Sequence, residues 1–343
     1  MHHVSGAGSG VLLFDGQMVR VTGVIEVIAK VALLVVGLCI IPPPALAETF
    51  KFIALGDMPY GDKAQTHLKF RSLIDEINTR RPAFSIHVGD FKSGATPCSD
   101  AMFQEQLDFM NTFQAPLIYT PGDNEWTDCH RPAAGRFDPL ERLAKLRAMF
   151  FGTGESLGTV RMPIERQGVS MPEYKAYVEN ARFAKAGVQF ATLHVVGSNN
   201  GFEPRDRKAA SEFFDRDQAN LAWLVAAFAK AKTDNAIAVV IAMQADMFEF
   251  DFGHFGKEQH LAHSGFLNVS ETLQREAAAF ARPVLLIYGD SHNFRVHTPF
   301  RKRAPQLLGL EVFGADQMHA VEITVDTNDP GVFSYRPIWN PSK

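Results

Sequence analysis

The sequence predicts an α/β fold, a four-layer α/β/β/α sandwich of two mixed sheets flanked by helices. Three observations predict it. Apolar, β-rich runs alternate with amphipathic helical runs through most of the chain, which implies parallel strands joined by right-handed crossovers. The C-terminal stretch instead alternates as an antiparallel set. Four of the strands also end in Gly-Asp: FIALGD at Asp57, FSIHVGD at Asp90, LIYTPGD at Asp123 and VLLIYGD at Asp290. With 343 residues, 46% of them hydrophobic, the chain has ample material for one sizeable core.

The N-terminal segment reads as targeting rather than fold. Lys30 precedes the apolar run VALLVVGLCII, followed by PPPALA and Glu48. A positive flank, an apolar run of this length and the small-residue site Ala45-Leu46-Ala47 describe a secretory signal peptide. The expectation is that residues 1–47 are removed and 48–343 form a single domain, exported to the periplasm or secreted. The run falls short of the roughly 20 apolar residues of a membrane span, so no stable span is expected after cleavage. Cys39 follows Leu38, a poor match to a lipoprotein site, and Met18 offers an alternative start. Export leaves Cys98 and Cys129, each a few residues past a Gly-Asp turn. If those turns are neighbours, an oxidising compartment favours a disulfide; the alternative is two unrelated thiols.

The elements follow in order. KFIALGD is a strand and HLKFRSLIDEINTRR a helix with Phe70, Leu73, Ile74 and Ile77 on one face. FSIHVGD is a strand, AMFQEQLDFMNTF a helix, APLIYTPGD a strand and DPLERLAKLRAMFF a helix. Residues 152–174 are rich in Gly and Pro with weak periodicity, which predicts a long surface or lid-like segment. VQFATLHVVGSNN is a strand, RDQANLAWLVAAFAKAKT a helix, NAIAVVIAMQAD an apolar strand, VSETLQREAAAFA a helix and PVLLIYGD a strand. The stretch from Leu310 to Ile338 reads as antiparallel, turning at Asn328-Asp329-Pro330-Gly331.

Strand carboxyl ends are where α/β folds bind ligands. Glycine before each Asp lets the backbone turn sharply and a ligand approach closely. Carboxylates crowded there repel one another, and a cluster of divalent cations is the simplest remedy.

The motif order resembles the calcineurin-like metallophosphoesterases, whose relatives include the purple acid phosphatases. GDMPY, GDFKSG, GDNEW, AMQAD and GDSH look like that superfamily's five motifs, over roughly Phe50 to Val325. Ala222-Trp223-Leu224 resembles its WL-containing helix. The resemblance implies two divalent metal ions and a phosphoester substrate. It places Asp57 as a first-metal carboxylate, Asp90 as the bridging carboxylate and His292 as the final histidine. Asp123 takes the place of a second-metal Asn, Gln244 that of the fourth-motif His, and Asp290 that of the first His in GHxH. Pro59 stands where a ligating His is expected, with Tyr60 as a neighbouring substitute. Asn124 stands where the superfamily keeps a His that protonates the leaving group.

This ligand set is mostly oxygen, which favours Mn, Mg or Ca over Fe or Zn. Two metals about 3.5–4 Å apart would activate a water and clamp a phosphoryl group. Asn124 donates a hydrogen bond but delivers no proton, which favours phosphodiesters or anhydrides with acidic leaving groups. Lys92 is a candidate for a phosphate oxygen, and Asn199 and Asn200 for the pocket wall. His254, His260 and His263 are candidate replacement ligands, whereas His87 and His194 sit inside strands and read as core.

The net charge of −4, with no Lys/Arg run longer than Arg301-Lys302-Arg303, gives no footprint for nucleic acid. GDMPY lacks the DxD start that a haloacid-type Asp nucleophile requires. Two readings remain open: a metal-dependent phosphoesterase, or a binding or structural protein on the same scaffold.

Overall fold

In chain order the strands are β1 (Thr49–Leu55), β2 (Ser85–His87), β3 (Leu117–Tyr119), β4 (Glu165–Arg166), β5 (Ala181–Lys185), β6 (Val188–Thr192), β7 (Ala238–Ala242), β8 (Val284–Tyr288), β9 (Arg295–His297), β10 (Leu307–Glu311), β11 (Ala320–Asp326) and β12 (Phe333–Ile338). The longer helices are α1 (Lys63–Thr79), α2 (Asp100–Met110), α3 (Pro139–Phe150), α4 (Arg207–Thr233) and α5 (Leu267–Phe280). They come from a computed structural model that describes residues 49–249 and 263–342. The expected signal segment, with Lys30, Cys39 and the Ala45-Leu46-Ala47 site, lies outside the described residues, as do His254 and His260. The described residues fall within one compact unit.

The strands make two sheets, ordered β12-β11-β1-β2-β3 and β4-β5-β6-β7-β8-β10-β9. β1, β2 and β3 run parallel, as do β6, β7, β8 and β10, while antiparallel pairings close every edge but that of β3. Both sheets are therefore mixed, as the sequence predicts. An aromatic and aliphatic layer fills the space between them: Phe52 and Phe84 of one sheet meet Phe190 of the other at ring-centroid distances of 5.5 and 5.1 Å. The outer face of the five-stranded sheet packs on α1, α2 and α3, and that of the seven-stranded sheet on α4 and α5. Helices outside and sheets inside give the four layers.

Local chemistry explains the helix starts. Asp62, Ser99, Asp138 and Asp206 are the N-caps of α1 to α4, their side chains accepting from backbone N–H groups of the first turn. In α1 the buried stripe is the expected Phe70, Leu73, Ile74 and Ile77.

Two sequence expectations need correction. Of the two alternatives for the 152–174 stretch, the surface segment holds and the lid does not: Leu157 bridges to Leu117 at the end of one sheet, and the chain then enters β4 at the edge of the other. It is fastened by polar contacts that periodicity does not register. Arg166 donates to the carbonyls of Thr153 and Glu155, and Arg182 pairs with Glu165 at 2.5 Å. Leu310 and Glu311 belong to β10, parallel to β8, so only β11 and β12 form the expected C-terminal antiparallel pair.

Candidate metal centre

The four Gly-Asp turns meet. Asp57 follows β1, Asp90 β2 and Asp123 β3, three adjacent parallel strands, while Asp290 follows β8 of the facing sheet and its N–H donates to Asp57 Oδ1 at 3.1 Å. Aspartate takes the left-handed backbone at three of the four turns, with φ of +52° at Asp57, +57° at Asp90 and +80° at Asp290, and of the preceding glycines Gly89 also has a positive φ, +102°. That conformation is uncommon for a residue with a Cβ and clusters at functional sites. Gly122 and Gly289 serve close approach. A Cβ on Gly122 would sit 2.0 Å from Asp90 Oδ1, and one on Gly289 would sit 2.1 Å from Asp57 Oδ2. Each of these glycines makes room for the carboxylate of a different turn.

Asp90 is held from several sides. Its Oδ1 accepts from the Asn124 N–H at 3.1 Å, and its Oδ2 from the Tyr60 hydroxyl at 2.9 Å and from Asn124 Nδ2 at 2.5 Å. Asn124 Nδ2 also lies 2.8 Å from the Tyr60 oxygen. Asn124 and Tyr60 are thus fasteners of the candidate bridging carboxylate. Beneath them lies Glu125, a residue the sequence analysis passed over. Its Oε1 accepts from the N–H groups of Asp90 and Gly122 and from the Tyr119 hydroxyl at 2.7–3.0 Å. A Glu following a Gly-Asp-Asn turn, next to a strand tyrosine, was the available signal.

The Cys98–Cys129 disulfide forms, with a Cα–Cα distance of 5.7 Å, and joins the loop after Asp90 to the loop after Asp123. Both sulfurs lie against the Asn124 carbonyl, at 3.6 and 3.8 Å.

The other candidates divide. Asp123 Oδ2 accepts from the Ser198 hydroxyl at 2.6 Å. Gln244 Oε1 accepts from the Gly197 N–H at 2.5 Å. His292 Nε2 lies 3.8 Å from Asp57 Oδ1, its ring 5.3 Å from that of Tyr60. Lys92 is buried, its Nζ donating to the Ser93 carbonyl at 3.1 Å, and it faces Glu125, Asp90, Asp128 and Asp123. Asn199 lines the neighbouring cavity, whereas Asn200 turns inward and accepts from Arg216 at 2.6 Å. His263 also lines the cavity, and His87 and His194 are fully buried, as expected of core residues.

The electrostatics are one-sided. Burial, with repulsion from neighbouring acids, pushes Asp57, Asp90 and Asp290 well above the usual carboxylate range. Asp128, beside them, is pushed up to about 7 by burial and by Asp123. Burial lowers Lys92 and His292. Asp57 Oδ2, Asp123 Oδ1 and Gln244 Nε2 are buried with no hydrogen-bond partner among the described residues. A cavity of about 1050 Å³, walled by Trp126, Phe202 and Phe266, reaches Ser198, Asp246 and Asp290.

These facts decide whether the residues suit a metal. Unpartnered carboxylate oxygens among mutually repelling acids fit a hard, oxygen-loving cation. Among the described residues, no three His, Cys, Asp or Glu side chains close into a ready-made cage. The donor chemistry fits, while both oxygens of Asp90 already accept hydrogen bonds.

No family profile matches the chain, and no curated protein matches its sequence. Among solved structures it is similar to the purple acid phosphatase PPD1 from yellow lupin (Lupinus luteus) seeds. The TM-score is 0.48 and the identity 13%, over 87% of this chain and 55% of that one. The chain thus spans about half the length of that structure.

Proposed function

We propose that the chain is an exported, metal-dependent phosphoesterase, a divergent member of the calcineurin-like metallophosphoesterases. The observation that supports this most is the buried acidic set with unpartnered oxygens on Asp57 and Asp123. Asp57, Asp90, Asp123, Gln244, Asp290 and His292 would hold a pair of divalent ions, Mn, Mg or Ca before Fe or Zn. When bound, the ions would supply Lewis acidity towards a phosphoryl oxygen and towards water. Tyr60 and Asn124 keep Asp90 in one orientation. Lys92 lies buried among the acids, its amine pushed down by burial and pulled back up by Glu125 and Asp90. Asn124 carries no transferable proton, so the leaving group departs largely on its own acidity, which favours diesters or anhydrides. The cavity beside Asp290 has room for the organic part of such a substrate.

The Cys98–Cys129 disulfide supports export, as does the signal-like N-terminus with processing after Ala47 to leave a single domain, 48–343. Among the described residues no helix is long and apolar enough to cross a membrane.

The test is the metal content of the exported protein by native mass spectrometry, together with hydrolysis of bis(4-nitrophenyl) phosphate in Mn, Mg or Ca. The expected result is two ions and turnover, both abolished by Asp90→Asn. A second reading, a protein that binds a ligand without turning it over, is favoured by the occupied oxygens of Asp90 and the open cage. Absence of bound metal and of turnover would select it.

A further inference from the structure

The turns after β7 and β8 carry Gln244, Asp290 and His292, and a buried ionic brace pins them to each other and to the end of β10. Asp246, two residues past Gln244, donates its backbone N–H to Asp290 Oδ2 at 3.3 Å. Its Oδ1 accepts from the Phe248 N–H at 2.8 Å. Its Oδ2 accepts from the Ser291 hydroxyl and, at 2.5 Å, from Arg295 Nη2. Glu311 closes the other side: its Oε1 accepts from the Asn293 N–H at 2.7 Å and lies 3.0 Å from the Ser291 oxygen, while its Oε2 is 2.8 Å from Arg295 Nε. The Asp246 and Glu311 side chains are wholly buried, and the guanidinium joining them is about one-third exposed. Arg295 Nε also reaches the Tyr288 hydroxyl at 3.2 Å, on the last residue of β8.

The guanidinium hydrogen-bonds Asp246 and Tyr288 and lies as an ion pair against Glu311, whose Oε2 has no hydrogen bond among the described residues, so one planar group meets three strand ends, which a lysine ammonium cannot reproduce. The turn it holds needs holding, because Asp290 and His292 both have left-handed backbones, with φ of +80° and +62°. We propose that Arg295 and Ser291 are positioning residues that set Gln244, Asp290 and His292 for a divalent cation. The inference rests on the metal-dependent reading above. Groups behind the ligands typically change metal affinity by about 10–100-fold when lost.

The experiment titrates the full chain with Mn2+ by calorimetry and with Co2+ by visible absorption, for wild type, Arg295→Gln, Arg295→Lys and Ser291→Ala. Arg295→Gln should weaken Mn2+ binding by about 10–100-fold and alter the Co2+ spectrum, with Arg295→Lys recovering only part. Ser291→Ala should shift both readouts in the same direction, and it carries the test if Arg295→Gln does not fold. Wild-type affinity and spectrum in the folded variants overturn the proposal, as does a lowered melting temperature with unchanged affinity. Wild-type protein that binds neither ion overturns the metal-dependent reading, and the brace with it.

Discussion

Two buried polar regions of this molecule handle charge in opposite ways. At the Gly-Asp edge, Asp57, Asp90 and Asp290 crowd together and burial drives all three well above the usual carboxylate range. Elsewhere, Glu179 is equally buried yet falls far below that range, because Arg147 and His194 stand against it at 2.5 and 2.7 Å. Arg216, Asn180 and Asn220 extend this second region, donating to or accepting from the loop after β6 until almost every group has a partner. Desolvation is common to both regions, and the difference is the supply of cations. A region that completes its own charge balance is scaffold. One that leaves carboxylates facing each other is the region that the proposed cations would balance.

The largest expected effect strikes the balanced region. Glu179→Gln leaves the partly buried Arg147 without its nearest counter-charge and should cost about 1.5–3 kcal/mol in urea denaturation. A loss near zero would mean that the network is less dry than it looks.

Acid should act on the same region. His194 is held below its ordinary 6.5 by burial, so as pH falls through that value the unfolded chain takes up a proton that the folded chain refuses. Glu179 is held below 4.5, so its contribution is present above that pH and is lost as pH falls further. Both signs agree. The contribution of this network should decline below about pH 6.5 and again below about 4.5, by up to about 1.4 kcal/mol per pH unit for each proton of difference, while the raised Asp57, Asp90 and Asp290 of the metal-free edge act with the opposite sign as pH falls. Chemical denaturation at several pH values checks this, and His194→Gln should flatten the first decline.

The smallest effect, of opposite sign, belongs to the edge. In metal-free protein, Asp57→Asn removes one member of a repelling set and should raise stability by about 1 kcal/mol. The same variant should lose the stabilisation that excess Mn2+ confers on wild type, about 2.7 kcal/mol at a hundredfold excess over Kd. Destabilisation of the metal-free protein by Asp57→Asn would place the edge with the scaffold.

Much of the frame was legible in the sequence because it depends on local pattern. The apolar stripe of α1, the runs ending in Asp57, Asp90, Asp123 and Asp290, and the cysteines just past two of those turns all record burial or turning within a few residues. What stayed hidden depends on partners distant in the chain. Nothing near Asn124 says that its side chain will hold Asp90 and Tyr60, and nothing near Glu311 says that it will meet Ser291 and Arg295. The weakly periodic 152–174 stretch misled because arginine-to-carbonyl bonds, rather than an apolar face, fasten it. Glycine was read for its freedom, yet at Gly122 and Gly289 its value is the absent side chain.

That last feature reaches beyond chemistry. Since Gly122 receives Asp90 and Gly289 receives Asp57, no turn of this edge acquires its final shape until a neighbour has docked, and the second pairing spans the two sheets. The edge is a keyed joint as well as a candidate site. A ligand seated there would touch both halves of the sandwich, so its binding would add to the free energy that holds the two sheets together.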